Sequence, residues 1–429
     1  KKIANAYFSK MNSKNRNLIK PFKALRPIPE KVNDVIAPPY DVLNSTEARK
    51  MVENRPYSFL HISKPEIDLP ENTKFNDPEV YKKGRENLSY LIDKKILIKD
   101  EDDALYIYEI IFNNKSQTGI ACVASIEAYD SNFIKKHERT TLAKEDDRVR
   151  NIDELKTQTG PVLLTYKNNN EIKEKLQELK SDKPLYEVDA IDSSVHKIWK
   201  IEREEEIDTL VNKLNSLKKL FIADGHHRSA AASRVSKNIL DKNPNHNGLE
   251  PYNFFLAVAF PDSEMTILDY NRVIHGKNGN TTENLLHLIK DFFEVEVSKK
   301  PYKPLKQGEF GMYLDKTWYR LQINTNLIKE EDPVKSLDVS LLHEYLISNL
   351  LGITEVRTDR RIEFVGGARG LSELETLTNK GENSLAFSLF PTPIEALINV
   401  AESDKIMPPK STWFEPKLLD GLLSFQLSD

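Results

Sequence analysis

Leu220-Phe-Ile-Ala-Asp-Gly-His-His-Arg228 is the stretch whose reading decides the fold. Leu220 to Ala223 is a short apolar run and reads as a buried strand, while Ala230 to Leu240 reads as a helix. Strand, glycine turn and helix in that order aim free backbone N–H groups at an anion. Gly225 permits positive φ or close backbone approach, and Asp224 is suited to cap the helix with its carboxylate. That much needs no ligand. His226, His227 and Arg228 in succession are another matter, because each charged cation in a first helical turn opposes the helix dipole by about 0.3–1 kcal/mol. An anionic ligand reverses the sign. Arg offers a fork of donors matched to phosphate, and each His donates or exchanges a proton near neutral pH. The turn is read as an anion site, for a phosphate group.

Working outward, strands and helices alternate. The pattern predicts a helix over 78–95, a hairpin of 104–112 with 118–128 across Asn113-Asn-Lys-Ser116, and a strand over 160–166. A helix over 207–219 leads into the Leu220 strand, and Phe254–Phe260 is a further strand. The proline-punctuated segment 21–42 reads as strand plus ordered loop, not helix. Residues 135–148 read as a charged loop. Further on come a hairpin over 308–323, a helix over 336–350 and a strand over 361–365. Gly366-Gly-Ala-Arg-Gly370 follows it, then a helix opened by a Ser372-x-x-Glu375 capping box. The fold class expected is α/β (mixed α+β). Its organisation is a polar leader 1–20, an N-terminal and central region 21–265, and a C-terminal region 266–429.

Composition narrows the function. A net charge of −4, with acidic residues interspersed among the lysines, gives no pull toward nucleic acid. The longest apolar stretch, 254–260, is too short to span a bilayer, so no membrane partner is expected and the cytoplasm is the simplest address. Cys122 is the single cysteine; it sits in an apolar run as a core residue and rules out an internal disulfide or a cysteine zinc site. No Walker A pattern is present, and His137-Glu138 lacks the second histidine of a zincin.

Asp224-Gly-His-His-Arg228 after a buried strand resembles the signature of free serine kinases in the ParB/sulfiredoxin superfamily. The whole chain looks like the domain-of-unknown-function 1015 family. The matching segments are Phe22-Lys-Ala-Leu-Arg-Pro27, Ala37-Pro-Pro-Tyr-Asp-Val42, His137-Glu-x-Thr140 with Asp147-Arg148, the Asp-Gly-His-His-Arg turn and Met407-Pro-Pro-Lys-Ser-Thr412. The resemblance implies a ParB/sulfiredoxin-like nucleotide-binding core with additional strand-helix subdomains. It implies ATP or ADP with Mg²⁺, and serine or phosphoserine as substrate.

On that footing Asp224, Gly225, His226, His227, Arg228 and Lys410 are the expected nucleotide contacts. Glu138 is the expected general base, acting with His226 and His227. Asp147 is expected as a metal ligand or salt-bridge partner, and Arg148 as a phosphate clamp or the partner of Asp147. Tyr40, Asp41, His137 and Thr140 are expected near substrate; for Tyr40 and Asp41 a structural turn is an equal alternative. Arg369 reads first as part of an ordinary glycine turn. The leading function is a phosphotransferase on a small hydroxylated metabolite, free L-serine first. A phosphoserine phosphatase using the same anion site and a nucleotide-responsive regulator are the alternatives.

Overall fold

The computed structural model describes residues 17–181 and 183–428, so residues 1–16 of the predicted leader lie outside the described residues. The fold is mixed α/β and divides into two compact units. The first comprises residues up to 135, 140–265 and 416 onward; the second comprises 136–139 and 266–415.

Nine strands among the described residues form the main sheet of the first unit. Its order runs Ile134–Lys135, Leu220–Asp224, Val162–Tyr166, Phe254–Pro261, Lys115–Ser125, Leu105–Phe112, Val195–Ile201, Tyr186–Asp189. Ile19–Lys20 pairs aside with Ala124 and Val123. Leu220–Asp224 lies parallel to Ile134–Lys135 and antiparallel to Val162–Tyr166, with a register shift between Ile222 and Asp224. Phe254–Pro261 is buried along its whole length, which explains an unbroken apolar run in place of alternation. Ile207, Leu210 and Leu214 of the helix Glu204–Asn215 and Ile172 and Leu176 of Asn170–Leu179 join the sheet residues in one core. Cys122 is buried in that core.

A smaller sheet of the same unit orders Leu97–Lys99, Ala24–Pro27, Ser424–Gln426 and Thr157–Gln158. The end of the described chain is thus stitched into the first unit. A further bridge pairs Ala37 with Asp420, by N–H to O distances of 3.0 and 2.9 Å.

The second unit carries a six-stranded antiparallel sheet in the order Phe293–Ser298, Thr317–Ile323, Glu309–Leu314, Ser384–Leu389, Tyr270–His275, Ile362–Gly366. Helix Leu371–Lys380 lies on it through Leu374, and Val273, Ala386 and Tyr313 fill the core between them.

Several expectations are corrected. Within 21–42 a short helix, Val32–Val35, follows the 3₁₀ turn Pro29–Lys31. Pro29 stands at the first position of that turn, where its missing N–H has no partner to lose. The charged loop 135–148 is in its second half a helix, Leu142–Leu155. Its buried face of Val149, Ile152 and Leu155 lies beyond the charge run that masked it. The strand expected to reach Ala128 stops at Ser125, whose hydroxyl accepts from the Ala128 amide and caps a helix Ile126–Asp130. Residues 336–350 form an α-helix, Asp338–Leu342, that widens into a π-helix, His343–Ser348. Ser372 and Glu375 make no capping box: the helix starts at Leu371 after Gly370, and Glu375 accepts from the Trp318 indole at 2.7 Å.

Phe255 is fully buried and meets the Tyr129 ring edge-on at 6.0 Å. Phe255→Ala should lower the stability of the first unit by about 3–5 kcal/mol in urea unfolding. A loss under about 1 kcal/mol would show that this strand is not a core element.

Candidate functional site

The turn forms as a left-handed step. Gly225 has φ 100° and ψ 27° and is itself the N-cap of the helix His226–Leu240. Asp224 is therefore not the cap that was expected. It ends the strand, and its carboxylate takes the Lys417 ammonium at 3.2 Å, with the Arg228 guanidinium 3.9 Å away. Glycine has no side chain to cap the amides of the first turn. The helix buries Ser229, Ala231, Ala232, Ser233 and Ser236, and these small residues let it pack closely on the helix Leu142–Leu155.

Arg228 leaves this turn and runs back toward Gly160 and Pro161, just before the strand Val162–Tyr166. Its Nη1 donates to the Pro161 carbonyl, and its side chain is only 15% exposed. Gly225 and Gly160 make room for it. A Cβ on Gly225 would stand 3.2 Å from Arg228 Nε, and one on Gly160 would stand 3.5 Å from Cδ and 3.6 Å from Nη1. Burial works against the Arg228 charge, but Asp224, Asp41, Tyr40 and Asp420 together hold its pKa above the ordinary value. Among the described residues no carboxylate closes its fork at bidentate distance, so its donors suit an outside anion.

A second guanidinium stands in the same neighbourhood. Arg148 stacks over the Tyr40 ring at 4.1 Å and donates to Asp147 through Nε at 2.8 Å and Nη2 at 2.5 Å. The other oxygen of Asp147 accepts from the Tyr81 hydroxyl at 2.7 Å. Asp147 therefore fills the salt-bridge role and does not fit as a metal ligand, because both oxygens are engaged, one by a cation. Burial raises the Tyr40 hydroxyl's pKa, while Arg148 and Arg228 pull it the other way. Asp41 is exposed beside it.

Two residues that sequence reasoning did not select complete the cluster. Lys417 and Asp420 come from the end of the described chain, where no motif marks them. Asp420 is buried, and burial pushes its carboxyl up to about 7. Asp41 adds to the rise; Arg228, the Tyr40 amide and Arg148 oppose it. Asp224 goes the other way: burial would raise it, but Lys417, Arg228 and His226 hold it well below the usual carboxylate range.

Of the remaining expected residues, His226 is buried at the helix start. His227 Nε2 accepts the Thr141 amide at 3.2 Å, which places its proton on Nδ1 and ties the two helix starts together. The Thr140 hydroxyl donates to Glu145, which also pairs with Arg234 at 3.1 Å. His137, Glu138 and Lys410 belong to the second unit. There the His137 carbonyl accepts from Met407 at 2.8 Å. Lys410 has φ 60°, its carbonyl accepts from Arg272 at 2.9 Å, and its ammonium lies 5.6 Å from the Tyr270 ring centre. Arg369 lies 3.7 Å from Glu373.

The family model described as "Protein of unknown function (DUF1015)" matches residues 19–340. The chain belongs to that family. No curated protein matches it. Among solved structures, a free serine kinase variant in complex with ADP is similar at 14% identity and a TM-score of 0.34, covering 70% of this chain and 92% of that one. SbnI with a C-terminal truncation, from Staphylococcus aureus, is similar at 10% identity and a TM-score of 0.36, covering 70% and 85%. A conserved hypothetical protein from Pyrococcus furiosus is similar at 13% identity and a TM-score of 0.34, covering 72% and 95%. Likeness at this level says nothing of activity. Among the described residues, no helix is long and apolar enough to cross a membrane.

The buried carboxyl makes a prediction about stability. Folded Asp420 keeps its proton up to about pH 7, whereas the unfolded chain releases it near pH 4. The folded state therefore loses stability as pH rises through that window, at up to about 1.4 kcal/mol per pH unit. Asp420→Asn should remove this fall, so the variant gains on the wild type between pH 4 and pH 7. Parallel stability profiles for the two proteins in urea titrations would contradict the assignment.

Proposed function

We propose that this protein is a nucleotide-dependent phosphotransferase acting on a small hydroxylated metabolite, with free L-serine the first candidate. The observation that carries the reading is Arg228 in the first turn of a fifteen-residue helix that opens on Gly225, its nearest acid among the described residues, Asp224, being 3.9 Å away. A cation in that position opposes the helix dipole, and a phosphate there is favourable to both. The turn's sequence, which resembles that of free serine kinases, points to a nucleotide as the source of that phosphate.

The chemistry follows from positioning. Phosphoryl transfer passes through a loose transition state whose charge spreads over the equatorial oxygens, so catalysis is mainly alignment and charge stabilisation. Arg228 and the first-turn amides supply donors to those oxygens. Arg148 is held rigid by Tyr40 and Asp147 and adds positive potential from within the protein, where water screens it little. Tyr40 and Asp41, on a loop stiffened by Pro38 and Pro39, are proposed to line the substrate side. The nucleotide, ATP or ADP, carries its own Mg²⁺ in solution, and no step is assigned to a metal held by Asp147. Glu138 and His137 lie in the second unit, and no step is assigned to them.

Purified protein with Mg²⁺, L-serine and either ATP or ADP should consume nucleotide in a serine-dependent manner. Arg228→Ala should reduce this at least about 100-fold, the scale of losing one preorganised donor at a developing charge. Phosphate release from O-phosphoserine without nucleotide would move the protein to the phosphatase reading. Silence in both arms would remove serine as the substrate.

A further inference from the structure

The strand Val162–Tyr166 has the Arg228 turn at one end and a cavity of about 340 Å³ at the other, within the first unit. Pro161, which accepts from Arg228, precedes the strand, and Tyr166 closes it. At a rise of about 3.3 Å per residue the two ends stand roughly 13 Å apart, so the cavity is no part of the phosphate site. Leu176 and Pro261 give it apolar wall, and Glu109, Thr118, Lys180 and Glu264 give it charge and hydrogen-bonding groups.

These groups are used unevenly. Glu109 Oε1 accepts from the Lys180 ammonium at 2.7 Å, from the Ser116 hydroxyl at 2.7 Å and from the Thr118 hydroxyl at 3.4 Å. Glu109 Oε2 has no hydrogen bond among the described residues. Lys180 gives one proton to Glu109 and one to Thr118 Oγ1 at 3.0 Å, which leaves a third. Tyr166 lines the cavity and is 1% exposed, yet its hydroxyl also has no hydrogen bond among the described residues. Pairing Glu109 with Lys180 fastens the end of the helix Asn170–Leu179 to the hairpin strands, and that role calls for neither an idle carboxylate oxygen nor an unpaired buried phenol.

The sign of the ligand follows from which charges are sheltered. Among the lining residues Glu109, Glu264 and Lys180 have side chains only 14, 15 and 12% exposed, whereas Lys173, the partner of Glu264 at 3.1 Å, is 59% exposed. Two carboxylates thus face one ammonium away from water, where charges are screened least, and a cation is favoured. Burial would raise the pKa of Glu109, but the hydrogen bonds from Lys180 and Ser116 hold it below its ordinary value, so the acid is ionised at neutral pH. We propose that this cavity binds the primary ammonium group of a small amine or amino acid. Glu109 Oε2 and the Tyr166 hydroxyl accept its N–H groups, and the third Lys180 proton goes to an oxygen of the same ligand.

Ethanolamine and glycine are the probes, since each joins a primary ammonium to an oxygen, the first as an amine and the second as an amino acid. Calorimetric titration of the full chain at neutral pH should give a Kd of about 1 mM or tighter for at least one of them. Tighter binding of ethanolamine assigns the site to amines, and tighter binding of glycine assigns it to amino acids. Choline, whose nitrogen has no N–H, should bind at least about tenfold more weakly than ethanolamine. Glu109→Gln should weaken the better probe by about tenfold or more, and Tyr166→Phe, which keeps the buried ring, by about threefold or more. Tyr166→Phe carries the test alone if Glu109→Gln does not fold. No binding of either probe at about 10 mM would overturn the proposal. So would equal binding by the wild type and Tyr166→Phe, or choline binding as tightly as ethanolamine. None of these results depends on serine-dependent turnover.

Discussion

Gly225 turns the chain from sheet to helix in the left-handed region, and the placement of Arg228 depends on that turn. A side chain at 225 would be strained at this φ and would press on the Arg228 guanidinium and on Val162. The turn therefore sets two things at once: a helix whose N-cap residue has no side chain, and an arginine folded back against Gly160 and Pro161. Everything proposed for the site uses both.

Around this turn the first unit arranges its charges by opposition. Arg148 pairs with Asp147 through Nε and Nη2 and is stacked on Tyr40, so it contributes position and field. Among the described residues Arg228 meets a carboxylate at 3.9 Å and a carbonyl, and its fork is left open on the rest. Lys417 neutralises Asp224 and keeps that acid from closing on Arg228. Asp420 is the member whose charge is least settled by its surroundings. Removing one partner from a buried ionic pair costs about 3–5 kcal/mol, which is why such a cluster is stiff.

Much of this was legible in the sequence. The strand, the glycine turn and the helix after it at 220–240 were readable, and the buried run at 254–260 announced a central strand. The helix at 142–155 was hidden because its apolar residues begin only at Val149, after a run of charges that reads as loop. The N-cap was misassigned because Asp224 has the right chemistry one residue too early, and its carboxylate is drawn to Lys417. Lys417 and Asp420 could not be found at all. No local pattern reveals that Lys417 returns across 193 positions to the Leu220 strand, or that Asp420 returns to the Gly160 turn, since only tertiary pairing puts them there. The capping box at 372–375 failed for a simpler reason: the helix starts one residue before Ser372, and Glu375 finds the Trp318 indole.

The most direct test of the central claim is a crystal structure of the protein with ADP. The account predicts a phosphate oxygen at about 3 Å from Arg228 and from the backbone amides at the start of the helix His226–Leu240. ADP bound with its phosphates away from that turn, and Arg228 contacting only Pro161 and its acidic neighbours, would contradict it.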